Sequence, residues 1–260
     1  MSASSLLDEF WKKLTRSRHR VLLSDYDGTL AGFQVERDKA VPYPGVREVL
    51  NTILRAGGCR VVIISGRRAE ELLGLLGLER QPEIWGSHGI ERLYPDGRYE
   101  IIEFEEKARN GLAEADAWMR AQRLQDLGEH KPGCLALHWR GMPAERVAQL
   151  RERIGDPWSR LAEKAGLRLQ EFDGGIELRV PGRDKGDAVS TILAEEGAEA
   201  AVACLGDDLT DEDAFAALAG KGLRVLVRQE WRPTKAGLWL RPPEELLTFL
   251  QRWVRTCRGK

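Results

Sequence analysis

The sequence predicts an α/β protein, an open parallel-sheet core interrupted by an inserted α+β cap. Three observations carry this. Short apolar runs ("VLL", "VVII", "AVACL", "VLV") alternate with helical patterns, as strands buried on both faces and joined by crossover helices do. Between them lies a stretch whose strand candidates alternate apolar and polar residues, as half-exposed antiparallel strands do. The parallel pattern then resumes. The core is therefore discontinuous, residues 1–104 and 181–260, with the cap at 105–180.

Each element has its own signal. "SSLLDEFWKKL" sets Leu6, Leu7, Phe10, Trp11 and Leu14 at helical spacing. The first strand covers 21–26. "PYPGVREVLNTILRAGG" is a helix opened by prolines and closed by glycines. "CRVVIISG" is a buried strand and "RRAEELLGLLGL" the helix after it. "PEIWGSHGIERLYPDGRYE" gives a short strand, a loop and a hairpin turning at Asp96-Gly97. The cap reads as a long charged helix, the alternating strand "GCLALHWR", the amphipathic helix "PAERVAQLRERIGDPWSRLAEKAG", and a second alternating strand, "LRLQEFDGGIELRV". The core returns with "GDAVSTILAEEG" as helix, "AVACLG" as strand, "DEDAFAALAG" as helix and "LRVLVR" as strand.

Composition bounds the function. With 42% apolar and 31% charged residues the chain is a globular protein with a real core, and its net charge of -1 gives no general attraction to nucleic acid or anionic membrane. Its four cysteines form no CxxC pair and suit reduced thiols. The first residues lack a secretory pattern and no apolar run is long enough to span a bilayer. A cytoplasmic location is the expectation.

Open parallel sheets bind ligands at the carboxyl ends of their strands, and four polar clusters fall there. They are "DYDGT" with Asp25 and Asp27, then Ser65-Gly66-Arg67, then Lys185, then "GDDLTDED" with Asp207, Asp208 and Asp211. Read alone, Ser65 fits a helix N-cap, Lys185 a solvated lysine, and Thr210 with Asp213 a capping box. Together they suit a phosphate ester. Asp25 can attack phosphorus, and Asp27 can protonate the leaving alkoxide and then deprotonate water. Mg²⁺ held by Asp25, the Asp27 carbonyl and Asp207 would offset the carboxylate charge. Lys185, the Ser65 hydroxyl and nearby amides would hold phosphoryl oxygens. His88, Glu91, Lys131, His138, Arg140 and Glu177 add mixed polarity that suits a neutral, hydroxyl-rich group.

The ordered clusters resemble the haloacid dehalogenase superfamily, whose core is Rossmann-like. The resemblance implies Asp25 as nucleophile, Asp27 as acid/base, Ser65 and Lys185 as the phosphate-binding pair, with Gly66 and Arg67 beside the substrate. Asp207 becomes a metal ligand, supported by Asp208 or Asp211. "DYDGTL", "SGR", "HGIE", "K…HWR", "GGIELR", "DKG" and "GDDLTDEDAF" further resemble the trehalose-6-phosphate phosphatase family. That implies Mg²⁺-dependent hydrolysis of a phosphorylated disaccharide, trehalose 6-phosphate, and a link to a trehalose-6-phosphate synthase. His88, Glu91, Lys131, His138, Arg140 and Glu177 would then contact the sugar. The chain departs from the family pattern at Trp139, where Tyr is usual, at Val180, where Pro is frequent, and at Ala31-Gly32-Phe33 after "DGTL". Alternative substrates are glucosylglycerol phosphate, mannosyl- or glucosyl-phosphoglycerate and sucrose phosphate. The other class is an inactive sugar-phosphate-binding module, against which the presence of both Asp25 and Asp27 counts.

Overall fold

The structure, a computed structural model, describes residues 3–172 and 174–258. Helix α1 (Ala3–Arg16) buries Phe10, Trp11 and Leu14 along one face. Strand β1 (Arg20–Ser24) is buried throughout. It ends before Tyr26, whose carbonyl accepts from the Leu30 and Ala31 amides and so belongs to a turn. Next come α2 (Val46–Ala56), β2 (Arg60–Ile64) and α3 (Ala69–Leu76). The hairpin region supplies β3 (Glu83–Gly86), β4 (Glu91–Leu93) and β5 (Tyr99–Ile101).

A second compact unit spans Ile101–Gly182. It holds α4 (Glu106–Ala121), β6 (Gly128–Lys131), β7 (Cys134–His138), α5 (Ala144–Ala165), β8 (Arg168–Phe172) and β9 (Gly175–Arg179). Its four strands form an antiparallel sheet in the order β6-β7-β9-β8. Two expectations need correcting. "LRLQEFDGGIELRV" is not one strand but the hairpin β8–β9, reversing near Gly174, which holds φ at 90°. β6 was not expected at all, because "GEHK" carries no aliphatic side chain. Leu135, Leu137, Ile176 and Leu178 line the apolar face of the sheet, on which α4 and α5 pack.

The first unit, residues up to Glu100, continues from Arg183 onward. It resumes with α6 (Lys185–Glu196), opened by a capping box in which Asp184 accepts from the Gly186 and Asp187 amides. β10 (Ala201–Gly206), α7 (Asp211–Ala217) and β11 (Leu223–Val227) follow. Beyond the expected elements lie β12 (Leu238–Leu240) and α8 (Glu244–Arg258). Phe249 and Trp253 of α8 stack against Trp11 and Phe10 of α1, with ring centroids 5.0 and 5.8 Å apart.

The core sheet runs β12-β11-β10-β1-β2-β3-β4-β5. Its pairs from β12 to β3 are parallel and β3–β4 is antiparallel. From β1 the chain winds outward through β2 and β3, then returns to build β10, β11 and β12 on the other side. The strand order therefore reverses between β1 and β10, where such sheets open a crevice. Among the described residues no helix is long and apolar enough to cross a membrane, and the four cysteines are free thiols.

Candidate active site

The tips of β1 and β10 are tied together where the Asp25 amide donates to the Leu205 carbonyl at 2.9 Å. This fixes Asp25 beside the turn that follows β10. Lys185, the first residue of α6, donates from Nζ to Asp25 Oδ1 and to Asp211 Oδ1, both at 2.7 Å. It is buried, so its charge is not that of a solvated surface lysine. Asp211 uses Oδ2 to accept from the Asp207 and Asp208 amides at 3.0 Å each, which shapes the turn. Thr210 makes no side-chain cap bond, so the expected capping box is absent.

Asp25, Asp207 and Asp211 are all buried, and each offers an oxygen within 4.8 Å of the others. Three carboxylates thus face one ammonium. Burial pushes the Asp25 carboxyl up to about 7, Lys185 opposing and Asp211 assisting. Asp207 is raised well above its ordinary value by burial, then by the charges of Asp25 and Asp211. Burial would lower Lys185, but Asp211 and Asp25 outweigh it and hold the ammonium. Asp207 Oδ2 is buried without a hydrogen-bond partner among the described residues. An unpaired carboxylate oxygen in a cluster with surplus negative charge has the chemistry of a cation site, and all-oxygen donors favour a hard one. The acidic triad could therefore hold a metal ion. Gly28 makes room for it: a Cβ there would lie 2.1 Å from Asp207 Oδ2. Asp208 stays outside the triad, its Oδ1 accepting from the Leu209 amide at 2.7 Å.

Asp27 is held by Arg67, whose Nε and Nη2 donate to Oδ2 and Oδ1 at 2.6 and 2.7 Å. Arg67 also pairs with Glu71. An arginine expected beside the substrate is thus engaged with the second aspartate. Ser65 does not cap α3, whose N-cap is Arg68; its Oγ accepts from the Arg67 amide at 3.2 Å. Ser87 and His88 take left-handed backbone, φ 49° and 59°, a strain that clusters at functional sites. Their amides bond the Arg67 and Ser65 carbonyls at 2.8 and 2.9 Å, so His88 lies over Gly66. A Cβ at Gly66 would meet the His88 ring at 2.7 Å. Glu91 is buried and accepts from Ser87 Oγ and Tyr99 OH at 2.5 and 2.7 Å.

In the second unit, strand alternation and register put a polar set on the face opposite the helices. Glu129 and Lys131 of β6, His138 of β7, and Glu177 and Arg179 of β9 share it. Glu129 Oε2 lies 2.7 Å from His138 Nε2 and 3.2 Å from Lys131 Nζ. Glu177 accepts from the Cys134 thiol at 3.4 Å and lies 3.7 Å from Arg179. Arg140 stands beside Gly174, where a Cβ would meet its Nε at 2.8 Å. The sequence reading omitted Glu129 and Arg179. Each is two residues from a residue it named, on the same strand face, and period-two spacing was the available signal.

The trehalose-phosphatase family model matches residues 23–239. The trehalose-phosphate phosphatase of Mycobacterium leprae is 32% identical over 259 residues, covering 92% of this chain and 58% of that protein. An uncharacterized glycosyl hydrolase of Mycobacterium tuberculosis is 34% identical over 230 residues, covering 84% of this chain but 17% of its own length. The chain thus spans less than two thirds of these curated relatives. Among solved structures, trehalose-6-phosphate phosphatase of Aspergillus fumigatus superposes with a TM-score of 0.66 at 25% identity, covering 95% of this chain and 97% of that one. The C-terminal domain of the C. albicans enzyme reaches 0.76 at 20% identity, covering 95% and 96%, a likeness of fold. A match running from β1, just before Asp25, to β12, well past the acidic turn, takes in most of both halves of the core and the unit inserted between them, and by it this chain belongs to the trehalose-phosphatase family.

Proposed function

We propose that this chain hydrolyses trehalose 6-phosphate to trehalose and phosphate through an aspartyl-phosphate on Asp25. The observation that carries the chemistry is the buried Asp25–Lys185–Asp211 chain beside the unpaired oxygen of Asp207. Family membership supports the sugar. Asp25 attacks phosphorus, forming a carboxylate–phosphorus bond as the bond to the sugar oxygen breaks, and Asp27 delivers a proton to that oxygen. Asp27 then takes a proton from water as the water oxygen bonds phosphorus, releasing phosphate and restoring Asp25. Lys185 and Ser65 hold phosphoryl oxygens in place. Mg²⁺ bound by Asp25, Asp207 and Asp211 would supply positive charge against the carboxylates and the transferring group. Glu91, Lys131, His138, Arg140 and Glu177, with Glu129 orienting Lys131 and His138, supply the sugar contacts. A trehalose-6-phosphate synthase would supply the substrate.

The test is phosphate release from trehalose 6-phosphate, sucrose 6-phosphate, glucose 6-phosphate, glucosylglycerol phosphate and a glucosyl-phosphoglycerate, each with Mg²⁺ and with a chelator. Selective release from trehalose 6-phosphate, lost on chelation, is the expected result. Preference for another sugar would move the error to the sugar-contacting residues. No release from any would leave a binding module.

A further inference from the structure

We propose that Arg232 is a positioning residue for the acidic turn, holding its backbone so that Asp207 faces the cation site. β10 ends at Gly206, so the carbonyls of Asp207 and Asp208 lie beyond its strand pairing. Arg232 Nε donates to the Asp207 carbonyl at 3.1 Å and Nη2 to the Asp208 carbonyl at 2.7 Å. Its Nη1 donates to Glu212 Oε1 on α7 at 2.7 Å and to the Pro233 carbonyl at 2.9 Å. One guanidinium therefore spans both ends of the turn that carries Asp207 and Asp211. The planar fork presents separate nitrogens at fixed geometry to two consecutive carbonyls, where a lysine would offer one rotatable ammonium. Glu212 secures the strap from the other side, accepting from Thr234 Oγ1 at 2.6 Å and the Lys235 amide at 2.7 Å. Burial works against its ionisation, but these bonds and Arg232 outweigh it and hold the carboxyl below its ordinary range.

The turn has to keep Asp207 and Asp211 close to Asp25 beyond its strand pairing. The bonds of Asp211 to the Asp207 and Asp208 amides brace it from within. Arg232 braces its carbonyl side, where Arg228 Nη1 adds a longer contact to the Asp207 carbonyl at 3.5 Å. Arg232 contributes geometry, since its contacts are to backbone carbonyls, that of Asp207 included, and to Glu212, and none is to a carboxylate of the acidic triad. Partners of this kind around a metal's ligands set affinity through orientation. The inference rests on the proposal that Mg²⁺ binds Asp25, Asp207 and Asp211.

The experiment is calorimetric titration of Mg²⁺ into the whole chelator-stripped chain, with the Mg²⁺-dependent rise in Tm as a second readout. Arg232→Gln is expected to bind Mg²⁺ about 10- to 100-fold more weakly. Its turnover should recover as Mg²⁺ is raised, at unchanged substrate KM, which a general loosening of the fold would not produce. Glu212→Gln, which removes the ion pair and leaves a single amide oxygen where Thr234 and Lys235 each had a carboxylate oxygen, is expected to lose about three- to tenfold. Wild-type Mg²⁺ affinity in folded Arg232→Gln overturns the inference; if that variant does not fold, wild-type affinity in Glu212→Gln does so. A native chain that binds no Mg²⁺ overturns the cofactor reading itself, and this inference with it.

Discussion

Asp25 is the proposed nucleophile, and its surroundings make that role testable. Its Oδ1 accepts from Lys185 at 2.7 Å and Oδ2 from Thr29 at 3.3 Å, so an amide can replace the carboxylate with little change in shape. Asp25→Asn should lower turnover by at least about a thousandfold, as loss of a nucleophile does, while circular dichroism and Tm report an intact fold. Turnover near the native rate would remove Asp25 from that role. At this scale much was legible. Asp25, Asp27, Lys185 and Asp207 stand out through the order of their clusters along the chain, since each piece by itself has an ordinary structural reading. The choice between Asp208 and Asp211 was not legible, since both lie in one short acidic run and only the three-dimensional turn separates them. Nor was the Arg67–Asp27 pair, which joins residues far apart in sequence.

Among elements, the loop after β1 and the turn after β10 meet at Gly28. Its φ of 83° and its closeness to Asp207 Oδ2 leave no place for a side chain. Gly28→Ala should cost roughly 1 kcal/mol from backbone strain alone. Because the Asp207 carboxylate must also move, Mg²⁺ affinity should fall by about tenfold or more, read by calorimetric titration. Native affinity would show that the close approach is dispensable. Element by element, the central parallel strands were legible because burial on both faces writes them as unbroken apolar runs. The second unit was legible only in part. Its strands bury one face, so half their residues are polar, and β6 has no aliphatic residue to reveal it. The β8–β9 reversal hides in a run whose alternation persists on both sides of the glycines. β12 is three residues long, too short for a period to show.

For the molecule as a whole, an inserted unit poses a problem: the core is built from two separated stretches of chain. An ion-pair cluster away from the acidic triad addresses it. Arg60 of β2 donates to Glu83 of β3 at 2.8 and 3.0 Å, and to Glu195 and Glu196 of α6 at 2.6 and 2.9 Å. Arg92 of β4 completes it with two bonds to Glu195 at 2.7 and 2.9 Å and one to Glu83 at 2.9 Å. Every bond to Glu195 or Glu196 therefore joins the chain before the insertion to the chain after it. Glu195 is 38% exposed, so solvent screening keeps its contribution well below that of a fully buried pair. About 1–2 kcal/mol is expected to be lost in Glu195→Gln at pH 7, a fall of a few degrees in Tm. The pH dependence has a definite sign. Burial raises the Glu195 carboxyl, but Arg92 and Arg60 outweigh it and hold it below its ordinary 4.5 in the folded chain. The native state thus releases this proton more readily than the unfolded state, and the stabilisation is complete above pH 4.5 and fades as pH falls through the folded value. Scanning calorimetry of native chain and variant should show the Tm gap full at pH 7 and narrowing below about pH 4.5. A gap that stayed constant into acid would mean that Glu195 acts by packing, and that its charge does not help to join the two halves of the core.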